Sequence, residues 1–132
     1  MVAALLAAVW MTACTKSTSS SASSTAPSTK TTETFTGTVA VKGSDIHAFT
    51  VSASGQVDVT LTTANPSVPL GLLIGTASGS ACAAVAGGSV VASPGSTAQL
   101  SGFLSPAAYC VAAFDPGGLA QSVSYTVTVA HY

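Results

Sequence analysis

The stretch STAQLSGFLSPAAYCVAAFD, Ser96 to Asp115, decides how the rest of the chain is read. It divides into a short polar strand, a turn at Gly102 and Pro106, and a long apolar strand that stops at Asp115-Pro116-Gly117-Gly118. Ala107 to Phe114 is apolar on both faces, which places it inside a sheet rather than at an edge. Tyr109, Val111 and Ala113 then fill a core, while Cys110, Ala112 and Phe114 point the other way. A disulfide from Cys110 to Cys82 would cover that second face.

Outward from this strand the chain keeps a period of two. Ser122 to His131 alternates Val123, Tyr125, Val127 and Val129 with Ser124, Thr126 and Thr128. Gln56 to Thr62 alternates Val57, Val59 and Leu61 with polar residues. Phe35 to Val41 puts Phe35, Val39 and Val41 on one face, and Ile46 to Ala53 puts His47, Phe49 and Val51 on one face. Gly43-Ser44-Asp45, Ser54-Gly55 and Ala64 to Ser67 read as turns or loops. Val68 to Ile74, broken by Pro69 and Gly71, reads as a bent or edge strand. Thr76 to Ser96 is expected to hold weak strands near Cys82–Val85 and Val90–Val91, and Ala98 to Gly102 another. Seven or eight short strands without a helical period make an all-β chain, an antiparallel β-sandwich.

Composition agrees. Charged residues are 5% of the 132, and polarity comes from Ser, Thr and Gly rather than the Glu, Lys and Arg of helical surfaces. A formal charge of −1 leaves no basic stripe for phosphates, so nucleic acid is excluded as a partner. The apolar 48% is mostly small Ala and Val, a thin core that gains from a covalent staple. Closing a loop of about 29 residues stabilises by roughly 3.5 kcal/mol in the chain-entropy model.

Residues 1–13 form an apolar run without a charge, too short to span a bilayer and suited to the core of a signal peptide. It ends in Met11-Thr12-Ala13-Cys14, which resembles the lipobox of bacterial lipoproteins, although Met11 stands where Leu is commonest and no basic residue precedes the run. The resemblance implies that Cys14 is acylated, palmitate being one such chain, and becomes the N-terminus of an envelope lipoprotein. Ordinary secretory cleavage and an uncleaved anchor are the alternatives. Thr15 in place of Asp favours the outer membrane or cell surface over the inner membrane in a Gram-negative cell. With Cys14 modified, Cys82 and Cys110 form the remaining pair; reduced thiols in a cytosolic protein are the alternative. Residues 14–34, mostly Ser and Thr after the cysteine, read as a flexible linker that would hold the domain some 25 Å from its anchor.

Three pieces of residues 35–132 carry a second resemblance. They are Phe35-x-Gly-x-Val followed by Gly43-Ser44-Asp45-Ile46-His47-x-Phe49-x-Val51, then Leu100-Ser101-Gly102 with Leu104-Ser105-Pro106-x-x-Tyr109-Cys110-Val111, and Ser124 to Val129. Together they resemble the bacterial pre-peptidase C-terminal (PPC) domain, which implies a jelly-roll-like sandwich that assists secretion or binds matrix proteins. Some members hold calcium at the turn matching Gly43 to His47. Only Asp45 matches here, so Asp45 is a weak calcium candidate, and four acidic residues make a full oxygen cage hard to build.

Motifs for nucleophilic, phosphate-binding or metalloprotease chemistry are absent from the sequence. His131, the penultimate residue, is expected to fray, and His47 to pack or sit at an edge. The cysteines lack zinc-ligand spacing. Asp58 reads as a solubilising charge and Asp115 as a turn residue. Leu72-Leu73-Ile74 and Phe103-Leu104 are either core or an exposed binding patch. A sugar platform commonly uses exposed Trp or Tyr, and after the signal the chain offers only Tyr109, Tyr125 and Tyr132, two of them on core-type faces, so carbohydrate stays a minor alternative. The reading that results has no catalytic residues, cofactor or metal. It is a membrane-tethered module that binds an unknown protein or matrix partner, with an accessory or inhibitor of a separately encoded hydrolase as the second class.

Overall fold

The computed structural model describes residues 27–132, and these form eight strands. They are β1 (Thr31–Val39), β2 (Ser44–Val51), β3 (Gly55–Asn65), β4 (Leu70–Ser78), β5 (Ala81–Ala92), β6 (Leu100–Leu104), β7 (Ala107–Phe114) and β8 (Val123–His131). Two antiparallel four-stranded sheets result, β1-β8-β3-β6 (sheet A) and β2-β7-β4-β5 (sheet B). The pairs β1·β8, β2·β7, β3·β6 and β4·β5 are nested, as in one long hairpin wound into a sandwich: the jelly-roll order. Most connections cross from one sheet to the other, so each strand's apolar side has the opposite sheet to pack against.

Alternation decides the core. Val57, Val59 and Leu61 of β3 and Val123, Tyr125, Val127 and Val129 of β8 are buried from sheet A. They meet Phe49, Val51, Leu70, Leu72, Ile74, Val111 and Ala113 from sheet B. At about 25 cal/mol per Å² of apolar surface, each full-sized side chain in this layer contributes roughly 1.5–3 kcal/mol. Leu72 and Ile74 are thus core and not an exposed patch. β7 has the expected bounds and lies between β2 and β4.

Several boundaries differ from the sequence expectation. Thr31–Thr34 belong to β1 and not to the linker, because β1 pairs with β8 from Thr31 opposite His131 onward. Val41 is not on the buried face but half-exposed in a turn, where the Gly43 N–H donates to the Ala40 carbonyl at 2.8 Å and Lys42 takes φ 59°. Asp45 therefore lies in β2, past the turn. Ala64 and Asn65 extend β3 beyond a bulge at Leu61–Thr63, and a cis Asn65–Pro66 bond follows. β6 runs through Gly102 and Phe103 to Leu104, so the chain turns only at Ser105–Pro106.

β4 is neither broken nor at an edge: Pro69 stays just outside the ladder, and β5 and β7 flank the strand. The two weak strands expected in Thr76–Ser96 are the halves of one edge strand, β5, joined by a bulge where the register jumps from Leu73–Ser89 to Gly75–Ala84. Gly87, at φ 69°, provides the left-handed residue this bulge uses.

β5 and β7 are not neighbours, yet Cys82 and Cys110 are disulfide-bonded with Cα atoms 5.9 Å apart. Two strand spacings would be about 9.5 Å in a flat sheet, so the end of the β4–β5 hairpin folds over the sheet's outer surface. Gly75 lies under the fold. A Cβ there would stand 2.1 Å from the Ala83 carbonyl oxygen. With the bond formed, the intact protein should weigh two hydrogens less than its dithiol form. Reduction should lower unfolding free energy by about 2–5 kcal/mol, read from denaturant midpoints. Alkylation of both thiols in native, oxidised protein would disprove the pairing.

Candidate functional site

The outer surface of sheet B is lined largely by apolar side chains. Its strands contain one carboxylate, Asp45, and one imidazole, His47, and both alternate inward. Outward point Ile46, Leu73, Phe114, Val91 and the disulfide, with Val91 56% exposed. Ser44, Ile46, Leu73, Ala112, Phe114 and the Ser80–Cys82 hairpin end line an open hollow of about 240 Å³. That is below the roughly 300–1,000 Å³ of small-molecule pockets, and suits one or two apolar side chains of a partner.

A second group of side chains closes the seam where β1 of sheet A meets β2 of sheet B. The Tyr125 hydroxyl donates to Asp45 Oδ2 at 2.9 Å and accepts from His47 Nε2 at 2.9 Å. Gly37 makes this possible, since a Cβ there would fall 1.8 Å from Asp45 Oδ2. The His47 ring stacks on Phe35 at 4.9 Å. Burial, then the Asp45 carboxylate, push the Tyr125 hydroxyl far above its ordinary pKa, so it stays protonated as the link between the sheets. Further along, His131 Nε2 donates to Glu33 Oε1 at 2.7 Å beside the Phe49 ring. His131 does not fray: it is 6% exposed, because β1 pairs with β8 to the last residue and the His131 side chain alternates inward.

The remaining carboxylates also hold backbone and strands. Asp115 Oδ2 accepts from the Lys42 N–H, and Oδ1 from the N–H groups of Gly117, Gly118 and Leu119. These bonds, that of Lys42 foremost, hold its pKa down at about 2. Asp58 is more than a solubilising charge. It pairs with Lys30 and accepts from Gln56 Nε2 and Ser101 Oγ, each at 2.7 Å, and Lys30 above all lowers its pKa to about 2.

The geometry brings Cys82 to Cys110 and gives Asp45 to Tyr125. Among the described residues no three His, Cys, Asp or Glu side chains are placed to hold a metal ion. Cys14, the lipidation candidate, lies outside the described residues. Sequence reasoning favoured core packing for Phe103 over an exposed patch; it is instead 74% exposed on sheet A. The signal was present in LSGFL, where Leu100 and Leu104 share the inward phase and Phe103 takes the outward one. The chain matches no family model and no curated protein sequence.

Two outcomes follow from the carboxylates. With Asp45 engaged by Tyr125, Tm should be the same in EDTA and in millimolar calcium, since only a ligand preferring the native state moves it; a rise of several degrees would restore a calcium site. Asp58 and Asp115 have folded pKa values below their unfolded ones, so their stabilisation is complete above about pH 4 and is lost as pH falls toward 2. Acid denaturation curves of Asp58→Asn and Asp115→Asn should be flatter than wild type in that window, and unchanged slopes would refute the assignment.

Proposed function

We propose that this chain is a non-catalytic, lipid-anchored PPC-like module of the bacterial cell envelope. It is held through Cys14 and a Ser/Thr tether, and it presents the outer surface of sheet B to a protein or matrix partner. The observation that carries the reading is the division of labour among side chains. Both histidines and all four acidic residues are engaged in strand-to-strand or turn bonds, so no pair is left converging on a cavity for acid–base work. The outer surface of sheet B, by contrast, presents no charged side chain and carries a hollow sized for a side chain. The jelly-roll order is the architecture the PPC resemblance implies. The apolar run ending at Cys14 supports an anchor, and two or more acyl chains suffice for stable attachment.

The test is made on the full chain in a bacterium, with a photo-cross-linking residue at Ile46. Wild type should enter the detergent phase and take up labelled palmitate, and Cys14→Ser should lose both while keeping its disulfide. Irradiation should give one discrete envelope-protein adduct from Ile46 and none from a control at Thr36 on sheet A. A soluble, unlabelled wild type removes the anchor. Equal, diffuse adducts from both positions remove the binding surface.

A further inference from the structure

A different surface, on sheet A, groups an exposed aromatic ring with polar side chains. On the outer face of sheet A, Gln56 stands directly across from Phe103, and Asp58 from Ser101. Phe103 is the most exposed large apolar side chain among the described residues, at 74%. Gln56, Ser101, Gly102 and Phe103 line a shallow hollow of about 250 Å³. Beside it lies the network already described: Asp58 is paired with Lys30 and accepts from Gln56 and Ser101, while the Lys30 ammonium sits 5.6 Å from the centre of the Tyr132 ring. We propose that Phe103, Gln56, Asp58 and Ser101 bind a neutral saccharide, one pyranose ring lying with its C–H face on the Phe103 ring and its hydroxyls toward the polar group.

The chemistry around Phe103 argues for a sugar rather than a protein. An aromatic anchor in a protein interface sits in an apolar centre whose rim keeps water out. Phe103 is bordered instead by an amide, a hydroxyl and a carboxylate, with Thr60 of β3 continuing the same outward face. A pyranose has the complementary layout, a patch of C–H bonds edged by hydroxyls that both donate and accept. The electron-rich ring face attracts such polarised C–H bonds. Ser101, having donated to Asp58, keeps lone pairs for an incoming O–H, and the Gln56 amide keeps a second N–H. Asp58 Oδ2, which takes only Lys30, keeps one acceptor site, and a bond to an ionised acceptor is stronger than a neutral one. Lys30, Gln56 and Ser101 fix its orientation before any ligand arrives, which lowers the ordering cost of binding.

This site is independent of the sheet B surface, so the two readings can fail separately. The isotope-labelled full chain, in detergent micelles, is titrated with cellohexaose, maltohexaose and chitohexaose at millimolar concentration, following backbone amide shifts. At least one glycan should shift the amides of Ser101, Gly102 and Phe103 together. Phe103→Ala should weaken that glycan about tenfold or more, and Phe103→Tyr should retain it. Because the Phe103 side chain is exposed, Phe103→Ala should keep the wild-type Tm, which separates lost binding from lost fold. Asp58→Asn should also weaken binding, while Ile46→Lys on sheet B should leave it unchanged. The proposal is overturned if no glycan shifts these amides, or if the shifts persist in Phe103→Ala. It is equally overturned if Phe103 governs cross-linking to an envelope protein while all three glycans leave its amide unmoved.

Discussion

The fold depends on the close approach of the Ala83 backbone to Gly75, fastened by the Cys82–Cys110 bond. In the nested topology only β4 and β5 are joined by a tight hairpin; β1·β8, β2·β7 and β3·β6 pair strands distant in sequence. Such pairings bear a loop-closure entropy that local contacts do not. The disulfide removes part of that cost by linking the hairpin to β7, which β2 and β4 flank. The same fold-over buries Cys110 and Ala112 on what would otherwise be an open face. It also builds one wall of the hollow on sheet B, where Ser80, Ala81 and Cys82 stand against Phe114 and Leu73. The staple and the hollow therefore share the same hairpin end.

Polar side chains are few, and nearly all of them fasten structure. The Tyr125 hydroxyl joins Asp45 and His47 across the seam between the sheets, and His131 with Glu33 closes its other end. Buried polar groups cost free energy unless hydrogen-bonded, and no buried side-chain nitrogen or oxygen among the described residues lacks a partner. These bonds tie the edges of the two sheets together along the seam. The two outer surfaces of the sandwich differ in kind. The outer face of sheet B is largely apolar and bears no charged side chain. Sheet A carries ranks of hydroxyls, with Thr34 beside Thr128 and Thr128 beside Thr60, and ends at Phe103 and the Asp58 network.

Much of this was determined by the sequence alone. Alternation of Val57, Val59 and Leu61, and of Val123, Tyr125, Val127 and Val129, named strands and inward faces together, because a period of two is a local property of the extended chain. Ala107–Phe114 announced an interior strand by being apolar on both faces, and the Cys82–Cys110 pair came from cysteine arithmetic once Cys14 was set aside. Tertiary structure decided what depends on neighbours. Whether β4 sits at an edge is set by the strands beside it and not by Pro69 or Gly71 within it. Thr31–Thr34 look like linker in composition and become strand only because β8 presents a free ladder out to His131. That same pairing buries His131, one residue from the end of the sequence. Phe103 and Leu104 are adjacent and similarly apolar, yet one is exposed and the other buried, because the register of β6 against β3 turns a single residue step into opposite faces of a sheet.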